Sequence, residues 1–310
     1  MSDRRVLVTG AAGGRQGQTG RHVSEMLLAR GIPIRAFVHR IDERSDRLRA
    51  LGAEVFEGDL LDIQSVQRAV QNVSSVYFAY PVQDGLLDAT AIMSVAARDA
   101  GISRLINLVM LRSSPDAPTP RMRQNYLSEQ VFDWSGIGAV HVRAAVFYEN
   151  LRALVRMSLA TQSIIKLPWG GDSTVVPLVS AEDVARVAVG LLVSPDVSAG
   201  STYPVIGEVL ELREIIATFG RVLGRDVGYE EISDEEWRRD ALARGANQHA
   251  VEHLSQLWRS FRAAGSRPES ARFQVTDTIG RLGGAKPKTF EEFVREERSV
   301  LMAEPSQTSV

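Results

Sequence analysis

The stretch Arg4-Arg5-Val6-Leu7-Val8-Thr9-Gly10-Ala11-Ala12-Gly13-Gly14-Arg15-Gln16-Gly17-Gln18-Thr19-Gly20-Arg21-His22-Val23 decides the fold. A short apolar run reads as a buried strand and empties into a glycine-dense turn. The turn opens into a helix that carries Val23, Met26, Leu27 and Leu28. Glycine there lets the backbone turn tightly and approach a ligand with no Cβ in the way. The helix start presents free N–H groups and a positive dipole end, both suited to a phosphate. Strand, glycine turn and helix in that order form a dinucleotide-binding signature.

The spacing is unusual. Gly14, Gly17 and Gly20 form a Gly-x-x-Gly-x-x-Gly run, preceded by Gly10 and Gly13. Counted back from Val23, the turn is about four residues longer than the common form. A ligand-free surface loop is the competing reading, and the flanking strand and helix weigh against it.

Outward from this turn, short β-rich runs alternate with longer amphipathic segments. Strands are expected at Val6–Thr9, Ile34–Val38, Glu54–Phe56, Val76–Ala79, Leu105–Val109 and Val140–Val142. Helices are expected near 21–30, 43–51, 62–71, 85–100 and 121–135. This interleaving predicts a doubly wound parallel α/β sheet. Further on, Ser180 precedes a helix with Val184, Val187, Ala188, Leu191 and Leu192 at helical spacing. Ser201–Ile206 reads as a strand, Leu212–Leu223 as a helix ended by Gly224, and 234–264 as amphipathic helix. The breaker-rich loop Ser113-Ser114-Pro115-Asp116-Ala117-Pro118-Thr119-Pro120 follows a sheet strand, where ligand crevices are lined.

Composition removes several classes of function. The chain has 310 residues, 44% of them hydrophobic, enough for a substantial core in one domain or two unequal lobes. Its 36 basic and 38 acidic residues are mixed along the length, which argues against a nucleic-acid surface. No run approaches a membrane span, and no signal-peptide pattern is read at Met1. Cysteine is absent, so disulfides, thiol nucleophiles and cysteine metal sites are excluded; a cytoplasmic location is expected. His249 and His253 share a helical face, but without a third ligand they read as ordinary helix residues and no metal site is expected.

The end of the second strand, Arg35-Ala36-Phe37-Val38-His39-Arg40, bears on which dinucleotide binds. An acid here would hold the ribose hydroxyls of NAD; Arg40, with Arg44 behind it, offers a guanidinium to a 2′-phosphate instead. NADP(H) is therefore the expected cofactor, although Asp42 and Glu43 stand close by. Gly58-Asp59-Leu60 follows the third strand, where Asp59 either meets the adenine amino group or caps the next helix.

The combined pattern resembles the NmrA-like branch of the atypical short-chain dehydrogenases/reductases. The matching pieces are Val8-Thr9-Gly10-Ala11-Ala12-Gly13, Gln18-Thr19-Gly20-Arg21-His22-Val23 and Gly58-Asp59-Leu60. They continue with Glu129-x-x-Phe132-x-x-Ser135-Gly136, Arg143-Ala144-Ala145-Val146-Phe147-Tyr148-Glu149-Asn150 and Glu182-Asp183-Val184-Ala185. Pro287-Lys288-Thr289-Phe290-Glu291-Glu292-Phe293 completes the set. The resemblance implies a Rossmann domain binding NADP(H), a smaller and mostly helical lobe, and a cleft holding nicotinamide and substrate. The division expected is 1–148 with about 174–206 for the nucleotide domain, 149–173 and 207–302 for the substrate lobe, and 303–310 for a flexible tail. Carried over, the phosphate loop is Gly10, Gly13, Gln18, Thr19 and Gly20, with Arg40 as the 2′-phosphate partner and Asp59 and Leu60 nearby. Tyr80-Pro81 and Phe147 are implied near the nicotinamide. A homodimer is compatible with the resemblance; nothing in the sequence fixes it.

One departure is chemical. The wider superfamily uses Tyr-x-x-x-Lys as proton donor and its activator. Counting back from Glu129, these positions hold Arg121 and Asn125, and Tyr126 is one residue off on another helical face. No catalytic residue is assigned. A plain ketone needs a proton as hydride arrives, whereas quinones, iminium ions and cationic dyes accept hydride with little help. The expectation is an NADPH-dependent reductase of a small aromatic or cationic acceptor, with Phe78, Tyr80, Tyr148, Trp169 and Trp258 as aromatic material for its pocket, although any one of them taken singly reads better as ordinary core. The alternative is an NADP(H)-binding redox sensor with little or no catalysis. A weaker third option is a dehydrogenase or epimerase using Tyr80, Tyr126 or Tyr148 as its acid.

Overall fold

The structure is a computed structural model and describes residues 5–14, 18–161, 163–264 and 273–303. Arg15, Gln16 and Gly17 of the long glycine turn and the tail beyond residue 303 lie outside the described residues, and so do the expectations placed on them. Two compact units emerge: 1–144 with 181–205 and 276–286, and 145–180 with 206–275 and 287–310.

In the first unit the chain alternates strand and helix. Its elements are β1 (Val6–Thr9), α1 (Thr19–Ala29), β2 (Ile34–Val38), α2 (Glu43–Ala50), β3 (Glu54–Glu57), α3 (Ile63–Ala69), β4 (Ser75–Phe78), α4 (Leu86–Asp99), β5 (Leu105–Met110), α5 (Pro120–Trp134) and β6 (Ala139–Ala144). After an excursion through the second unit it adds α7 (Ala181–Val193), β10 (Thr202–Val205) and α11 (Thr278–Gly283). The strands form one seven-stranded parallel sheet in the order β10-β6-β5-β4-β1-β2-β3. Continuous apolar runs such as Val6-Leu7-Val8 are what parallel strands covered on both faces require. The expected Rossmann-type sheet is therefore present. Leu7, Val66, Met93 and Phe132 belong to one core layer between the sheet and α3, α4 and α5, where Phe78 meets Phe132 edge-on at 5.1 Å. Helices α1 and α11 both pack on α7. Gly190 of α7 allows that approach, since a Cβ there would stand 2.1 Å from the Leu282 carbonyl oxygen.

The second unit contains β7 (Val146–Phe147), α6 (Tyr148–Thr161), β8 (Ile164–Leu167), β9 (Val175–Val179), β11 (Glu208–Glu211), α8 (Leu212–Leu223), β12 (Gly228–Glu231), α9 (Asp234–Ala243), α10 (Gln248–Ala264), α12 (Phe290–Glu296) and α13 (Arg298–Met302). Its two small sheets, β11-β9-β7 and β12-β8, were not foreseen from the sequence. The stretch 234–264 is not one segment. It breaks at Gly245, whose φ of +75° ends α9 with its N–H on the Leu242 carbonyl. Among the described residues no helix is long and apolar enough to cross a membrane.

Candidate nucleotide-binding site

The sheet order reverses direction between β1 and β4, and ligands of open α/β sheets sit beyond the strand C-termini at such a point. Thr9, the last residue of β1, closes this place. Its Oγ1 donates to the Ala79 carbonyl at 2.9 Å and accepts from the Ala79 N–H at 2.8 Å. The glycine turn begins one residue later. Gly10 and Gly13 have φ of +64° and +68°, and the Gly13 N–H donates to the Gly10 carbonyl at 3.1 Å. A Cβ on Gly20 would lie 2.5 Å from the Gly10 carbonyl oxygen, so only glycine lets α1 start this close to β1. Gln18 precedes α1 without capping it by its side chain; its Oε1 is taken by Arg21. The first-turn N–H groups of Thr19 and Gly20 thus have no side-chain cap from Gln18, and a Cβ on Gly10 would meet open space. A diphosphate fits this arrangement on the terms by which helix N-termini hold anions.

Behind the turn, Asp42 is taken up at the start of α2. Asp42 caps α2: its Oδ1 accepts from the Arg44 N–H at 2.9 Å, and Ser45 completes a capping box. Its Oδ2 accepts from Arg44 Nε at 3.0 Å and Nη2 at 2.6 Å. The Arg44 guanidinium beside it holds the Asp42 carboxyl below the usual carboxylate range, against a smaller opposing effect of desolvation. Both carboxylate oxygens are therefore engaged at the start of α2. Arg44 is engaged as well, because its Nη1 donates to the Gly13 carbonyl at 2.9 Å and ties α2 to the glycine turn. Arg40 is exposed and makes no hydrogen bond or ion pair among the described residues. A 2′-phosphate suits a guanidinium left in this state.

Asp59 is exposed and does not cap α3. Its Oδ1 accepts from the Leu61 N–H at 2.9 Å, while Asp62 caps the helix through Gln64 and Ser65. Gly58 is required just before it, since a Cβ would stand 2.3 Å from Ser65 Oγ. Leu60 is half-buried and, like Tyr80, packs against the core layer.

Arg121 and Asn125, expected from the sequence to stand at the superfamily's tyrosine and lysine positions, are both buried and both bonded to main chain. Arg121 is 2% exposed and donates to the carbonyls of Tyr80, Pro81 and Gln83 at 3.0, 2.7 and 3.0 Å. Burial pulls its pKa down to about 10, with the nearby Tyr80 and Asp84 opposing. Asn125 Oδ1 accepts from the Met110 N–H at 3.3 Å. Ser113, in the loop after β5, is buried and donates to the Met110 carbonyl at 2.7 Å. Glu129 and Arg143, from two pieces of the sequence pattern, form a two-point ion pair at 2.8 and 2.6 Å that joins α5 to β6.

The sequence-predicted residues Gly10, Gly13, Gln18, Thr19, Gly20, Arg40, Asp59, Leu60 and Tyr80 lie in the first unit, and Phe147 lies in the second, on β7. Four of the five aromatics offered as pocket material are core residues, as each taken singly was expected to be. Phe78, Tyr148, Trp169 and Trp258 are each at most 1% exposed. Trp169 and Trp258 pack with tilted rings 4.9 Å apart, while Tyr148 packs on Phe290 and Phe293 and donates to Glu208 at 2.9 Å. Large rings are the side chains a small lobe buries first. Tyr80 alone is part-exposed, its Oη on the Asp84 carbonyl at 2.8 Å. Sequence reasoning missed the roles of Thr9, the Asp42–Arg44 pair and Arg121; each acts through main-chain groups remote in sequence.

Comparison with known proteins agrees with this architecture. The family described as NmrA-like matches residues 2–294. The chain belongs to the NmrA-like family. Within reach of this member are an NAD(P)H azoreductase of Xenophilus azovorans, 25% identical over 94% of this chain and 96% of that protein. A (4-alkanoyl-5-oxo-2,5-dihydrofuran-3-yl)methyl phosphate reductase of Streptomyces griseus subsp. griseus is 28% identical over 94% and 97%. Among solved structures, the triphenylmethane reductase of Citrobacter sp. complexed with NADP(H) superposes with a TM-score of 0.79 at 22% identity, covering 94% of this chain and 99% of that one. That likeness establishes a shared fold.

Proposed function

We propose that this NmrA-like protein is an NADPH-dependent reductase that delivers hydride to pre-polarised small acceptors, such as quinones, iminium ions or cationic dyes, without a Tyr-Lys pair. The azoreductase and the phosphate reductase among its relatives support the general activity. The observation that carries the finer reading is the occupancy of the two superfamily positions. Arg121 and Asn125 are buried at 2% and 3% exposure and turned onto main-chain groups, so neither can hand a proton to a substrate oxygen.

Bound NADPH would supply the hydride. The chain's own residues bind and orient it. Gly10, Gly13 and the α1 start at Gln18, Thr19 and Gly20 would take the diphosphate, and Arg40 the 2′-phosphate. Asp59 and Leu60 would stand by the adenine, and Tyr80 towards the nicotinamide. An acceptor that becomes a stabilised anion or a neutral product needs orientation more than acid catalysis. Steady-state NADPH consumption against quinones, cationic dyes and plain ketones tests the proposal. Turnover confined to the pre-polarised acceptors supports it. Turnover of ketones points to an acid not identified here, and tight NADPH binding with no turnover points to a sensor.

A further inference from the structure

Arg121 does more than fill the place of a lost tyrosine. A buried guanidinium is costly, and an apolar side chain of similar size would fill the space more cheaply. What an apolar side chain could not do is satisfy the carbonyls of Tyr80, Pro81 and Gln83, which belong to an irregular strip just beyond β4. The same guanidinium lies 5.7 Å from the centre of the Tyr80 ring. The strip is also closed on itself. The Gln83 N–H donates to the Pro81 carbonyl at 2.9 Å, and Tyr80 Oη donates to the Asp84 carbonyl at 2.8 Å. Gly85 turns at φ +93°, where a Cβ would strike Tyr80 Oη at 2.7 Å. At the base of the strip, Ala79 is held by Thr9.

We infer that Arg121 is a positioning residue that fixes the Tyr80–Gln83 strip as the wall of the nucleotide crevice at its nicotinamide end. The inference rests on the NADP(H) assignment above. It separates the two ends of the cofactor. The adenosine end, with Arg40 and the α2 start, shares no contact with Arg121, whereas the nicotinamide end depends on the strip.

The test compares wild type, Arg121→Met and Arg121→Lys in binding NADPH and 2′,5′-ADP, and in turnover with a quinone. With the charge-assisted carbonyl bonds gone, Arg121→Met is expected to weaken NADPH binding by about tenfold or more and to lower kcat. Its affinity for 2′,5′-ADP should stay within about twofold of wild type. Arg121→Lys, which keeps a cationic donor, should recover part of both losses. Equal losses for NADPH and 2′,5′-ADP, or no loss of either, would overturn the inference. If Arg121→Met does not fold, Arg121→Gln, which keeps a neutral donor without the charge or the fork, takes its place. It should weaken NADPH and spare 2′,5′-ADP; unchanged NADPH affinity would then count against the inference. Wild type that binds neither nucleotide would instead refute the cofactor assignment, and this inference with it.

Discussion

Thr9 and Ala79 exchange two hydrogen bonds through a single hydroxyl at the point where the sheet order reverses. The pair joins the ends of β1 and β4, so the glycine turn and the Tyr80 strip both start from a fixed edge. Replacing Thr9 with Val keeps the shape and removes the hydroxyl, leaving the Ala79 N–H and carbonyl without it. Thr9→Val is expected to cost about 2 kcal/mol of stability in urea unfolding and to weaken NADPH binding. Unchanged stability and affinity would mean that the crevice does not depend on this clamp.

Gly20 allows no side chain. With a Cβ 2.5 Å from the Gly10 carbonyl oxygen, α1 must back away from the turn. Gly20→Ala should lose about 1–3 kcal/mol of stability, and its NADPH affinity should fall below measurement by titration calorimetry. Retention of wild-type affinity would show that the diphosphate is held elsewhere.

Arg40 and Arg44 should behave differently. Arg40 is uncommitted among the described residues, whereas Arg44 already holds Asp42 and the Gly13 carbonyl. Arg40→Ala is expected to weaken NADPH binding by about 10- to 100-fold, the range of a lost charge-assisted contact, with little effect on NADH. Equal losses for both nucleotides would remove Arg40 from the 2′-phosphate.

The Asp42–Arg44 pair also sets a pH dependence. The Asp42 pKa in the folded protein lies below its ordinary value of 3.8. An acid with a depressed folded pKa contributes stability that is complete above the unfolded value and lost as pH falls through the folded one. The stability gap between wild type and Asp42→Asn should therefore be constant from neutral pH down to 3.8 and close below it. A gap that persists into strong acid would assign the effect to the cap geometry and not to the carboxylate charge. Thermal melts of both proteins across that range decide it.

Much of the first unit was legible because its signals are local. Val6–Thr9 and the glycines after it mark strand and turn within a few residues, and Arg40 follows a clear second strand. The second unit was less so. Strand β7 is only two residues long, and its pairing with β9 joins residues about thirty apart, so period-2 patterning has nothing to act on. Trp169 and Trp258, each taken singly, read better as core than as pocket lining, and both are buried with their rings 4.9 Å apart. Arg121 reads as a vacancy in a catalytic motif because its partners are carbonyl oxygens some forty residues upstream, which no side-chain pattern reveals.

The most direct test of the central claim is to follow the hydrogen itself. Protein, a cationic triarylmethane dye and NADPH deuterated at the transferring C4 position are mixed, and the colourless product is analysed by mass spectrometry. The same reaction is run with Tyr126→Phe. Deuterium is expected on the central carbon of the dye, and Tyr126→Phe is expected to turn over at nearly the wild-type rate. A product without deuterium, or a loss of about 100-fold or more in Tyr126→Phe, the scale of a missing general acid, would contradict the central claim.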